Sequence, residues 1–119
     1  MTPQGPDRNT RAAVGEDVTV LFEKINELLS TREGDIAQIE RTLTDGYASA
    51  LSLEAERWRL RKRIGEVAAT LERGDAVTKT KELSSLARRL EASDGALARL
   101  RSELANLRRH ADVVRAATA

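Results

Sequence analysis

The sequence predicts an all-α chain: a long antiparallel coiled-coil helical hairpin with an N-terminal helical overhang. Three observations predict it. The 119 residues are 33% charged and only 3% aromatic, with one Phe, one Trp and one Tyr. That is the composition of long helices, not of a globular core built on aromatic side chains. Apolar residues then recur at alternating three- and four-residue steps along two long stretches. Between those stretches stands Arg73-Gly74-Asp75-Ala76, a glycine suited to a helix C′ position followed by an aspartate suited to an N-cap.

Residues 1–15 carry both prolines and no periodicity, and read as a disordered tail. Residues 16–119 read as a single coiled-coil domain, the most that this length supports. Its first helix is expected over about 16–73, its turn at 74–75 and its second helix over about 76–117. Sixteen core positions hold the first helix in register: Val18, Phe22, Ile25, Leu29, Arg32, Ile36, Ile39, Leu43, Gly46, Ala50, Leu53, Arg57, Leu60, Ile64, Val67 and Leu71. Arg32, Gly46 and Arg57 are the exceptions to its apolar character. The second series runs from Leu83 through Leu86, Leu90, Ser93, Leu97, Leu100, Leu104, Leu107 and Ala111 to Val114. Thr44-Asp45-Gly46-Tyr47 and Asp94-Gly95 look locally like turns, but neither breaks the spacing, so helix is expected through both.

The two series test each other. In an antiparallel hairpin the residue numbers of facing core positions share one sum. Val67 with Leu83, Ile64 with Leu86, Leu60 with Leu90, Leu53 with Leu97 and Leu43 with Leu107 all give 150, whose midpoint is the Gly-Asp turn. Gly46 then meets Leu104 and Ala50 meets Leu100, small against large, as interdigitated packing requires. Arg57 meets Ser93, a polar layer that sets register, with the Arg57 head expected to snorkel toward Glu54 or Asp94. Flanking positions five off the core sum pair Glu40 with Arg115, Glu54 with Arg101, Arg61 with Asp94, Glu56 with Arg89 and Arg63 with Glu82, all opposite in sign. The same rule offers Asp35 to His110.

The second helix reaches back only to the level of residue 33, yet Val18, Leu21, Phe22, Ile25, Leu28 and Leu29 lie before it. Leu21 and Leu28 fall beside the seam, so the apolar stripe is too wide for one neighbouring helix. Left in water, it would be an aggregation liability. Pairing with a second copy of the chain is the leading expectation, making these six residues a homodimer interface. The alternatives are a helix that breaks at residues 30–34 and folds back, with Ser30 and Glu33 at capping-box spacing, or cover by a different protein.

The dense basic run at residues 57–63 contains Trp58, an aromatic facing outward. Trp58, Arg59 and Lys62, with Arg88 across the hairpin, form a possible surface anchor for an acidic partner or, more weakly, nucleic acid. The plainer reading is a solvated helix face. A net charge of +1 supplies no field toward nucleic acid or anionic membrane. The single histidine cannot build a typical metal site or a Ser-His relay, and the seven glycines stand singly, with no phosphate-binding loop. There is no cysteine, and the longest apolar run, as in Val20-Leu21-Phe22, is three residues. The expectation is a cytoplasmic, non-enzymatic protein with no cofactor and no membrane segment.

The stretch ERTLTDGYASALSLEAER over Glu40–Arg57, continued by WRLRKRIGEV, resembles a group of uncharacterised actinobacterial coiled-coil proteins. The chain is also similar in outline to the actinobacterial cyclic-di-GMP-responsive anti-sigma factors, helical hairpins that clasp a sigma factor. Their nucleotide pattern, Glu-x3-Ser-x2-Arg-x3-Gln-x3-Asp, is absent. The helical glutamine here, Gln38, has Gly34 four residues before it and Thr42 four after. The leading functional expectation is therefore a structural or adaptor coiled coil that self-associates through residues 18–29. The alternative is a regulator that sequesters a transcription or signalling factor.

Overall fold

The computed structural model describes residues 6–31 and 34–118, with side chains from residue 18 onward. It contains three helices, α1 (Pro6–Leu29), α2 (Ile36–Ala69) and α3 (Ala76–Thr118), and no strand among the described residues. Residues 1–5 of the expected tail lie outside the described residues, and from Pro6 the backbone belongs to α1. The chain divides into two compact units, residues 1–49 with 100–119, and residues 50–99.

The second unit holds the hairpin turn. Helix α2 stops at Ala69, four residues before the expected end at 73, and tightens through bonds from Thr70 N to Val67 O and from Leu71 N to Ala68 O. Gly74 follows at φ 82°, a left-handed conformation that a side chain would oppose. Asp75 then caps α3. Its Oδ1 accepts from Val77 N at 3.0 Å and Thr78 N at 3.3 Å, and its Oδ2 accepts from the Thr78 hydroxyl at 2.6 Å. These bonds, that from the Thr78 hydroxyl first, hold the carboxyl below its ordinary value of 3.8. Lys79 reaches back from α3 and donates its Nζ to the carbonyls of Thr70 and Arg73, satisfying acceptors that the end of α2 leaves open.

Beyond the turn the two helices zip in the expected register. Leu60, Val67 and Leu86 form one buried cluster with Ile64, Leu83 and Leu90 packed against it, which brings together all six residues of three expected core layers. Arg63 meets Glu82 at 2.9 Å and Arg89 meets Glu56 at 3.1 Å, two of the expected flanking pairs. Asp94, which the flanking rule gave to Arg61 and the snorkelling of Arg57 also reached, is engaged by Arg57 at 2.5 Å. Helix runs unbroken through Gly46 and Gly95, as the spacing requires.

In the first unit the expected straight helix over 16–73 is corrected. The chain leaves helix after Leu29 and resumes at Ile36, so α1 is separate and the overhang does not project. Asp35 caps α2, its Oδ1 accepting from Ala37 N at 3.0 Å. Ser30 is not the cap. It closes the end of α1, its hydroxyl donating to Glu27 O at 2.8 Å, while Glu33 and Arg32 lie outside the described residues. A link this short makes α1 an antiparallel neighbour of α2. Val20, Leu21 and Lys24 of α1 share a groove with Gln38, Arg41, Thr42, Asp45 and Ser49 of α2.

The core of the first unit is deeply covered. Ile25, Ile39, Leu107 and Ala111 are wholly enclosed, and Leu104 and Val114 nearly so. In the two-helix unit Ile64, Leu83 and Leu90 are only partly buried. Each buried apolar side chain contributes about 1.5–3 kcal/mol, which favours the bend over a straight helix with its stripe in water.

Candidate interaction surface

The residues expected to form an interface fall into two groups with opposite fates. Val18, Leu21, Phe22, Ile25 and Leu28 are buried within the chain, and Leu29 is half-buried. The width of the stripe is explained by this: Leu21 and Leu28, off the seam, are as well covered as the seam positions. The stripe expected to face a second chain is thus buried within a unit that also holds the first part of α2 and the last part of α3.

The matching face of α2 carries a residue that core periodicity does not pick out. Thr42 is 4% exposed, off the seam, on the side where α1 packs. Its hydroxyl donates to Gln38 O at 2.9 Å, so burial leaves it satisfied. Small Gly46 lies one turn on, and a Cβ there would overlap Cδ2 of Leu104 and crowd Cδ1, which realises the expected small-against-large layer. Arg115 ties α3 to α2 by donating to Glu40 at 2.8 Å and also reaches Asp112 at 3.3 Å. These bonds, that to Glu40 first, raise its guanidinium above the ordinary value.

His110 does not pair with Asp35 as the register rule offered. The Asp35 carboxylate caps α2, and His110 Nε2 is shielded without a hydrogen-bond partner. A Cβ built on Gly34 would lie 3.9 Å from that nitrogen, so the imidazole sits beneath the α1–α2 link. Tyr47 does lie with Arg108, in a shallow groove with Leu43, Ala111, Asp112 and Arg115. Among the described residues no cluster of three or more His, Asp or Glu is placed to hold a metal ion.

The second group stays at the surface. Trp58 is 63% exposed, and the ammonium of Lys62 stands 5.2 Å from the centre of its ring, a cation–π contact. Arg59, expected to be available, instead donates to Glu56 at 3.1 Å, on a carboxylate that also receives Arg89. Arg88 is exposed on α3. Arg57 enters the seam half-buried, with Ser93 also half-buried, and its Nε forms an ion pair with Asp94 Oδ1 that lacks the alignment of a hydrogen bond. Of this group Trp58 and Lys62 stand together at the surface, while Arg59 and Arg57 are held by Glu56 and Asp94.

The fold and surface define an all-helical hairpin with a third helix folded into one unit, and an aromatic-basic face on the other. No helix among the described residues is long and apolar enough to cross a membrane. Comparison with known proteins finds no family model, no curated protein and no solved structure that matches the chain.

Proposed function

We propose that this chain is a non-enzymatic helical adaptor that acts by protein–protein contact, with the face around Trp58 as its docking surface. The observation that carries the reading is Trp58 itself, the chain's single tryptophan, 63% exposed on the two-helix unit beside Lys62. A large aromatic that the fold does not use is a natural anchor, because covering it removes much apolar area for two fixed torsions. The basic neighbours favour an acidic partner surface over an apolar one.

A photo-crosslinking residue placed at position 58, in cells that make the protein, tests this. The reading predicts a discrete heavier adduct at 58 that the same probe at Val77 does not give, although Val77 is equally exposed on the same unit. No adduct at 58, or the same adducts from both positions, would remove it. The identity of the adduct also separates an adaptor from a regulator that sequesters a transcription or signalling factor.

A further inference from the structure

We infer that α1 is an exchangeable element, able to leave its own unit and dock in the same place on a second copy of the chain. The inference rests on the reading of this protein as one that works by protein contact, and names the second copy as one such partner. It is carried by a contrast between the two connections. The α2–α3 turn is fixed by a left-handed glycine, an aspartate cap and a lysine bonded to two carbonyls. The described residues of the α1–α2 link show neither the first nor the third. Gly74 is the left-handed glycine among the described residues, so Gly34 does not use the conformation that would commit the chain to a turn.

At its α2 end the link is held by the Asp35 cap, but the bonds at its α1 end are compatible with helix. The hydroxyls of Ser30 and Thr31 both donate to Glu27 O, bonds that these residues make inside helices as well. No proline stands between residues 29 and 36. The three-four spacing of core positions also runs on without a phase change from Ile25 and Leu29 to Ile36 and Ile39. A helix continuing through the link would therefore keep α1 and α2 in one heptad frame. It would carry the stripe of Val18, Leu21, Phe22, Ile25 and Leu28 away from its own unit.

The occupant of the exposed stripe follows from complementarity already on display. The surface that fits α1 is the face against which it is buried here, with Thr42 of α2 lining the groove that α1 shares. A second copy that has released its own α1 presents that same face. Every contact of the closed unit is remade between chains, and only the link differs, which is the condition for low-cost exchange of an element.

The link can be biased in both directions. Gly34→Ala favours helix through the link, and in the closed form its Cβ would press on Ile39 Cδ1 at 3.0 Å. Thr31→Pro denies the continuous helix its backbone donor, and from the closed form it removes the 3.4 Å bond to Leu28 O and the hydroxyl's bond to Glu27 O. Sedimentation equilibrium of the full chain should show a concentration-dependent dimer, tightened by about tenfold in Gly34→Ala and lost in Thr31→Pro. A Val20→Cys chain mixed with an Asp45→Cys chain should form an intermolecular disulfide in the dimer, since the two positions share the α1–α2 groove. This measurement stands even where Thr31→Pro fails to fold. Monomer throughout in Gly34→Ala, or a dimer without the mixed disulfide, overturns the exchange. Either result leaves the adduct at Trp58 to be judged on its own experiment.

Discussion

Gly46 of α2 stands directly against the side chain of Leu104 of α3, so closely that a Cβ at 46 would overlap Cδ2 and crowd Cδ1. Leu104 is itself 2% exposed and has no room to swing away. The absence of a side chain at 46 is thus a packing requirement, in a helix interior where glycine costs about 1 kcal/mol against alanine. Gly46→Ala should destabilise the protein, since overpacking of about 1–3 kcal/mol outweighs that gain. Denaturant unfolding followed by circular dichroism reads the sign, and pairing the change with Leu104→Ala should recover part of the loss.

Gly65 and Gly95 provide the opposite case within the same protein. Both lie inside helices, and a Cβ at either would meet nothing within 4 Å. Replacing either with alanine should stabilise by about 0.5–1 kcal/mol and raise the melting temperature. A loss of stability at either site would show that the helix there is packed against something the fold as described does not include.

Arg57 and Asp94 form a polar layer at the edge of the seam, with side chains 27% and 43% exposed. At that exposure their coupling in a double-mutant cycle should be about 1 kcal/mol or less. Arg57→Leu should raise the melting temperature by burying apolar surface in place of a charge. If the layer sets register, the same variant should also broaden the unfolding transition or admit alternative pairings, seen as a lower m-value.

Asp75 gives the turn a specific pH dependence. Its folded-state value lies below the ordinary 3.8, with the Thr78 hydroxyl as the largest cause. A carboxyl shifted that way contributes stability that is present above 3.8 and lost as pH falls through the folded value. Asp75→Asn keeps a capping acceptor but cannot titrate, so its melting temperature should fall less steeply than wild type from about pH 5 to about pH 2. Parallel curves would show that the cap does not differ in charge between folded and unfolded chains.

Ile25 is wholly enclosed, whereas Leu83 is only partly buried in the two-helix unit. Ile25→Ala should therefore cost about 2–5 kcal/mol, and Leu83→Ala less. Equal costs would contradict the difference in cover between two and three packed helices.

The hairpin was legible in the sequence because its signals are redundant. The sum of 150 is stated by core layers, by the turn at Gly74-Asp75 and by charge pairs such as Arg63 with Glu82, and the structure forms all three. The bend after Leu29 was not legible in the same way. Local spacing runs straight through it, and what bends the chain is the burial of Leu21, Phe22, Ile25 and Leu28 against residues distant in sequence. The over-wide stripe pointed to it, and so did the capping-box spacing of Ser30 and Glu33, although the cap of α2 is Asp35. Thr42 escaped notice because a polar residue beside a seam looks solvent-facing until a third helix covers it. Asp94 pairs with Arg57, as the reach of a long side chain leaving the seam allowed, and the position rule that offered it to Arg61 misses that reach.

The central structural claim is that α1 is an integral third helix of its unit. Hydrogen exchange of the wild-type chain tests it most directly, comparing amides of residues 21–29 with those of residues 100–114. The account predicts comparable protection in the two segments, because Ile25 and Leu107 belong to one enclosed core. Rapid exchange of residues 21–29, at the rate of an isolated helix, with residues 100–114 still protected, would contradict it.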